Sequence, residues 1–322
     1  MRLPTITDAL RARRLLRPLL APTPLSAYPA LDAATGARVR VKHENLQPTG
    51  AFKVRGGLNL LASLDPGERE RGVLGYSTGN HAQSLAHAAA HHGVRCTIVM
   101  PEHPNPAKAR AVRDLRAELV EHGERFEQAR AHAERLAADR GMRLVSAANE
   151  PEIIAGVATA YLELFEQEPE VDVVLVPVGS GTGAAAATLV AAALAPECEV
   201  IAVQSAAAPA AHDSWRAGEL VDRPNRTTVE GLATGSGFAL TQRLLRDRLA
   251  DFVLVDDSDI EEAQRLCLRA AHTVAEGAGA AALAALLADR ERFAGRTVAV
   301  VCSGGNAGEA ELNRMGRPAV IG

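Results

Sequence analysis

Pro48-Thr49-Gly50-Ala51-Phe52-Lys53-Val54-Arg55-Gly56-Gly57 contains one of only three lysines in a chain of 322 residues. Lysine and arginine together number 35, so positive charge is almost always supplied as arginine. Arginine keeps its proton in a protein and forms no imine. A lysine with a lowered pKa can give up its proton and form one. Lys42, Lys53 and Lys108 are therefore the candidates for work that only an amine performs. An arginine-rich composition that left a few lysines behind accounts for Lys42 and Lys108. The residues around Lys53 set it apart from that background.

The length suits one large or two moderate domains. Apolar residues make up 47% of the chain and aromatics only 3%, so the core has to be built from Ala, Val and Leu. The net charge is -4 with both signs interspersed. A nucleic-acid partner would want a basic face with stacking aromatics, so none is expected. Arg11, Arg13, Arg14 and Arg17 read as the solvated face of a leading helix. Cys96, Cys198, Cys267 and Cys302 are far apart and form no CxxC, which suits free, core-packed thiols in a reducing compartment. Arg and Pro interrupt the apolar residues near the N-terminus, and no charge-free stretch reaches membrane-spanning length, so a cytoplasmic protein with no membrane partner is expected. His87 and His91 have helical spacing but no third ligand, which reads as a solvated face with no metal.

Short β-branched runs alternate with helical patterns. The candidate strands are Arg38–Lys42, Val73–Tyr76, Cys96–Met100, Glu118–Glu121, Arg143–Ser146, Val171–Val178, Glu199–Gln204, Phe252–Val255 and Thr297–Cys302. Helical patterns cover His81–His92, Pro106–Arg116, Arg125–Arg140 and Ile153–Glu166. The Glu/Arg mix of the third reads as an exposed face with local ion pairs. Such alternation predicts an α/β fold of parallel sheets with helices on both faces. A shift from a His- and Arg-rich middle, about 72–147, to an Ala/Val-rich second half is the one hint of a domain seam.

In open α/β sheets ligands bind at the carboxyl ends of strands. Three glycine-rich turns fall there. Ser77-Thr78-Gly79-Asn80-His81-Ala82-Gln83 opens a helix, whose free N–H groups and dipole suit a carboxylate or phosphate. Gly179-Ser180-Gly181-Thr182-Gly183 follows an apolar strand. Its glycines let the backbone fold around a phosphate, and Ser180 and Thr182 add hydroxyls. With Ala184 it also fits a dinucleotide fingerprint, but the next strand ends in Gln204-Ser205 instead of an acid. Ser303-Gly304-Gly305-Asn306 ends the last strand, where a hydroxyl suits a heteroaromatic nitrogen.

Together these motifs resemble the fold-type II pyridoxal-phosphate enzymes, specifically the threonine dehydratase and serine racemase family. The likeness covers nearly the whole chain, with the motifs in the family's order. It implies two domains of open, mostly parallel twisted sheet flanked by helices, with pyridoxal 5'-phosphate in the cleft between them. Residues 1–71 and 148–322 would form the large, cofactor-binding domain. Residues 72–147 would form the small one, and no C-terminal regulatory domain is expected. The resemblance makes Lys53 the catalytic residue, carrying the cofactor as an imine. Phe52 packs beside the ring, Asn80 meets the phenolic oxygen, Gly179, Ser180, Gly181, Thr182 and Gly183 cradle the phosphate, and Ser303 faces the ring nitrogen. Ser77, Thr78, Gly79, Asn80 and His81 hold the substrate carboxylate.

The implied activity is that of an ammonia-lyase converting a β-hydroxy amino acid, L-threonine or L-serine, to a 2-oxo acid and ammonia. The freed Lys53 amine takes the α-proton. A hydroxyl at the ring nitrogen, instead of an acid, favours expulsion of a β-group over transamination. The implied partners are a small amino-acid substrate and a second copy of the chain. Some positions depart from the family pattern. Gly179–Gly183 leans toward the cysteine-synthase branch, which replaces the β-group. Thr78 stands where racemising members carry serine, and a racemase-dehydratase acting on serine or hydroxyaspartate is a further alternative. Gln204-Ser205 replaces a Glu-Pro that serves a cation site, so no metal is expected. Glu276 and the segment Glu230-Gly231-Leu232-Ala233 are further candidates to lie near the cofactor. A catalytically silent ligand-binding protein on the same fold is the non-enzyme alternative.

Overall fold

The computed structural model describes residues 2–316. Ten strands are assigned: β1 (Leu25–Ala27), β2 (Arg38–His43), β3 (Val73–Tyr76), β4 (Cys96–Met100), β5 (Glu118–Glu121), β6 (Arg143–Val145), β7 (Val173–Pro177), β8 (Glu199–Ser205), β9 (Asp251–Val255) and β10 (Thr297–Cys302). Six form one sheet, in the order β1-β2-β10-β7-β8-β9, and the other four form a second, β5-β4-β3-β6. Every pairing is parallel except β1 with β2. All four strands of the smaller sheet fall between residues 73 and 145.

The pattern of burial follows strand position. β7 and β10 are buried along their whole length, as expected for central parallel strands covered on both faces. The edge strand β5 carries a glutamate at each exposed end. The two-faced apolar run Val171–Val178 is longer than β7, because Val171 and Val178 are buried beyond the pairing register. β1 has no counterpart among the sequence-predicted strands. It is three residues long and lies between Pro24 and Pro29, so it offers no readable period. Pro151 begins the helix Pro151–Gln167, two residues before the predicted start, because proline fits the first turn. The helix Pro106–Asp114 stops short of Arg116, whose φ of 63° is incompatible with continuation.

Alanine takes the place of the missing aromatics. The helices Thr182–Leu194 and Gly277–Ala288 are almost wholly buried, and each is mostly alanine. Cys96, Cys267 and Cys302 are free and buried, and Cys198 is free and partly buried. No described helix is long and apolar enough to cross a membrane.

The lysine segment sits where these layers meet. The helix Lys53–Ala62 packs against both Asn80–His92 and Pro151–Gln167. A Cβ at Gly57 would lie 2.4 Å from Ser84 Oγ, and one at Gly56 would lie 2.8 Å from Ile153. The Gly56-Gly57 pair therefore lets two helices approach on two sides. Arg55 lies between them and the lysine, and it is 1% exposed. Its guanidinium donates to Glu44 at 2.7 and 2.9 Å, to Glu163 at 2.7 and 2.8 Å, and to Thr159 at 3.0 Å. Burial opposes its charge, but the two carboxylates reverse that and raise its pKa.

Lys42 joins the same group. Its ammonium donates to Glu163 at 3.0 Å, Gln167 at 3.0 Å and the Thr23 carbonyl at 2.8 Å. This corrects the reading of Lys42 as a compositional leftover, since it helps neutralise the buried Glu44 and the partly buried Glu163. Arg55→Met should leave those acids facing each other in a dry interior. Removing one member of a buried ion cluster costs about 3–5 kcal/mol. Urea unfolding is expected to show a loss of that size, and a loss below about 1 kcal/mol, typical of an exposed pair, would refute the role assigned to Arg55.

Candidate active site

The three glycine-rich turns meet at the carboxyl ends of β3, β7 and β10, around the start of the helix Lys53–Ala62. Phe52 N–H donates to the Ser303 carbonyl at 3.0 Å, and Ala51 bridges Gly304. The lysine segment is thus stitched to the turn after β10. Lys53 Nζ donates to Ser180 Oγ at 3.0 Å and to Thr182 Oγ1 at 2.7 Å. The Phe52 ring lies 5.0 Å from that nitrogen. Burial pushes the amine down to about 7. A charged ammonium is costly away from water, and a neutral amine is not.

The turn after β7 has the shape of an anion cradle. Gly181, at φ +87°, caps the helix Thr182–Leu194 in the left-handed region. A Cβ at Gly179 would sit 2.2 Å from the Gly231 carbonyl, so no side chain fits there. Thr234 and Thr241 hydroxyls donate to the carbonyls of Gly179 and Ser180 at 3.3 and 3.1 Å. Those bonds engage the loop's acceptors and leave N–H groups at a helix N-terminus, the arrangement that binds phosphate. The turn Glu230–Leu232 backs directly onto this loop.

After β3, Ser77, Thr78 and Gly79 lead into the helix Asn80–His92, and Gly79 N–H donates to Ser77 Oγ at 3.2 Å. Asn80 reaches across to the other sheet. Its Nδ2 donates to Glu276 Oε1 at 2.6 Å and its Oδ1 accepts from Asn306 Nδ2 at 2.8 Å. His81 is buried, and its Nε2 has no partner among the described residues. Burial, reinforced by nearby Lys53, lowers its pKa to about 3, so the imidazole is neutral. Ser303 is 6% exposed. Lys53, Phe52, Gly179–Gly183 and Ser303 are thus in direct contact or one residue removed. Asn80 joins them through Asn306, which also donates to the Thr49 carbonyl at 2.8 Å.

Beside Asn80 lies a cavity of about 520 Å³, lined among others by Lys108, Glu230, Glu276, Asn306, Glu311 and Arg314. Burial, with Glu311 adding to it, raises the Glu276 carboxyl to about 7, against the pull of the Asn80 hydrogen bond and Lys108. Lys108, on the helix after β4, forms an ion pair with Glu230 on the opposite side. It too is no compositional leftover. Sequence reasoning missed Thr234, Thr241 and the paired role of Lys108. The signal for the threonines was weak, since a hydroxyl supporting a distant carbonyl leaves no spacing rule.

The sequence profile described as "Pyridoxal-phosphate dependent enzyme" matches residues 16–304. L-threonine ammonia-lyase of Thermotoga maritima is 36% identical over 312 residues, covering 97% of this chain and 78% of that protein. L-threo-3-hydroxyaspartate ammonia-lyase of a Pseudomonas species is 34% identical, covering 95% and 96%. The structure of maize serine racemase superposes with a TM-score of 0.92 at 28% identity, covering 97% of both chains.

The Lys53 amine gives a pH signature. A lysine at its ordinary 10.5 in the unfolded chain binds a proton that the folded amine, near 7, refuses. Between those values the unfolded state holds more protons, so this group's contribution to stability worsens as pH falls from 10.5 to 7 and is constant below. With the amine free, its reactivity toward an acylating reagent should be half-developed near pH 7, located by peptide mass spectrometry. A midpoint near 10 would overturn the assignment.

Proposed function

The chain belongs to the fold-type II pyridoxal-phosphate dependent enzymes of the threonine dehydratase and serine racemase family, and from that premise we propose that it is an ammonia-lyase converting L-threonine or L-serine to a 2-oxo acid and ammonia. The observation that carries this reading is the Lys53 amine, lowered to about 7 and directed at the hydroxyls of a glycine-rich loop at a helix N-terminus.

The residues present fit the cofactor. Lys53 offers the amine to which its aldehyde attaches. Gly179–Gly183 offers the phosphate cradle, in which Gly179 leaves no room for a side chain. Phe52 would flank the ring, Ser303 would meet the ring nitrogen and Asn80 the phenolic oxygen. When bound, pyridoxal 5'-phosphate supplies a sink for the electrons left on the α-carbon as its proton departs. Lys53 takes that proton, because an amine near 7 is available as a base at neutral pH. The N–H groups of Ser77–His81, at the positive end of a 13-residue helix, hold the substrate carboxylate. Ser303 has no charge with which to keep the ring nitrogen protonated, which favours prompt loss of a β-hydroxyl. In this reading residues 1–71 and 148–322 bind the cofactor, and 72–147 form the smaller domain that carries the carboxylate loop.

The cavity beside Asn80 is lined by none of Lys53, Ser77–His81 or Gly179–Gly183, so it stands apart from the proposed substrate position. Glu230, Glu276, Glu309 and Glu311 line it against Lys108 and Arg314. The Gly-Ser-Gly-Thr-Gly loop favours one other reading, β-replacement of the cysteine-synthase type.

Lys53→Ala should lose the visible absorption of bound cofactor and lower ammonia release by more than about 10³-fold. A variant that kept both colour and activity would end the proposal. In a substrate panel, kcat/KM for 2-oxo acid release should be highest with L-threonine or L-serine. Faster cysteine formation from O-acetylserine and sulfide would establish the replacement reading instead, and no ammonia from any amino acid would indicate a silent homologue.

A further inference from the structure

We infer that Glu276 and Asn306 are positioning residues which lock the side-chain amide of Asn80, so that one of its two N–H bonds is reserved for the phenolic oxygen of the cofactor. The inference rests on the proposed site and goes beyond it.

A primary amide has two N–H donors and one carbonyl oxygen. In Asn80 one donor is taken by Glu276 Oε1 at 2.6 Å, and the oxygen accepts from Asn306 Nδ2 at 2.8 Å. A flipped amide would set its oxygen against the Glu276 carboxyl oxygen and its NH₂ group against the Asn306 NH₂ group. Both contacts would be repulsive, so the two neighbours together specify one orientation. The second N–H is then the only uncommitted donor on the side chain.

The clamp is itself held. Asn306 spends its other N–H on the Thr49 carbonyl at 2.8 Å, four residues before Lys53. Glu276 N–H donates to the Gly304 carbonyl at 3.1 Å. A Cβ at Gly304 would fall 2.0 Å from Glu276 Oε1 and 3.2 Å from Asn80 Nδ2, so only glycine admits the contact. Asn80 follows β3, whereas Asn306 follows β10 of the other sheet and Glu276 caps the helix Gly277–Ala288 that packs on it. The lock therefore spans the cleft and ties the amide to the segment that carries the lysine. Lys108 and Glu311 are the charged groups that face Glu276, with opposite effects on it.

The test uses the holoenzyme and two readouts other than turnover, the visible absorption maximum and the dissociation constant of pyridoxal 5'-phosphate. Glu276→Ala and Asn306→Ala should each shift the absorption maximum and weaken retention by about tenfold, the size of one or two hydrogen bonds. Asn80→Ala should do the same, and combining it with either change should add nothing further, because both neighbours act through Asn80. Glu276→Gln keeps an acceptor oxygen and should restore a spectrum close to the parent's. Asn306→Asp puts an acceptor against the Asn80 oxygen at unchanged size and should behave as the alanine variant. These two isosteric variants decide the matter if an alanine variant fails to fold. Additive effects with Asn80→Ala, an unshifted spectrum in Glu276→Ala or Asn306→Asp, or a Gln variant as impaired as Ala would overturn the lock. Loss of the lock leaves Lys53-dependent colour in place, so this failure is distinct from failure of the cofactor reading.

Discussion

The first turn of one helix carries two basic side chains that burial treats in opposite ways. Arg55 cannot shed its proton, so it is tolerated in the interior only because Glu44 and Glu163 surround it and each N–H finds an acceptor. Lys53, two residues earlier, has hydroxyl partners instead of acids, so its environment drives it toward the neutral form. The ion cluster fixes the helix and neutralises its own charge. Without it, the helix would lose its register against Pro151–Gln167, and the amine would lose its place over the loop at 179–183. A lysine at 55 would not substitute, because a point charge cannot satisfy two carboxylates in bidentate fashion.

Most of the parallel sheet was legible because its central strands are dry on both faces. Runs such as Val73–Tyr76, Cys96–Met100 and Thr297–Cys302 need no partner to be recognised, and their bounds agree with the strands found. β1 was hidden because an edge strand of three residues owes its existence to β2 and not to its own pattern. The glycine-rich turns were visible for the same reason as the strands, since strand ends and helix starts are local events. What stayed out of reach was long-range pairing. Arg55 and Glu163 are 108 positions apart, and Asn80 and Glu276 are 196 apart. Nothing in a single sequence marks one glutamate among many as the partner of a given arginine or amide. Lys42 and Lys108 were misread on that account, since a lysine's role depends on the acid that faces it.

A core poor in aromatics has its own consequence for the site. Helices faced with alanine lie close to the strands beneath them, so the turns that precede them are held tightly. Thr182–Leu194 and Gly277–Ala288 both begin at the cleft, one with the glycine-rich loop and the other with Glu276. Their burial fixes these starts without help from bulky side chains. The hydroxyls of Thr234 and Thr241 complete the loop by engaging its carbonyls, and its N–H groups remain as the donors.

Desolvation acts on both kinds of titratable group in the cleft and moves them toward each other. It lowers the Lys53 amine to about 7 and raises the Glu276 carboxyl to about 7, so each is about half ionised at neutral pH. His81, pushed to about 3, is uncharged throughout. The interior of the site therefore carries less formal charge than the same groups would carry at their ordinary values. A substrate carboxylate entering it would meet the helix N-terminus at Asn80, as the cofactor phosphate would meet the one at Thr182. Orientation of a small amino acid would then follow from one anion meeting one fixed dipole, with the unprotonated fraction of the Lys53 amine available as a base.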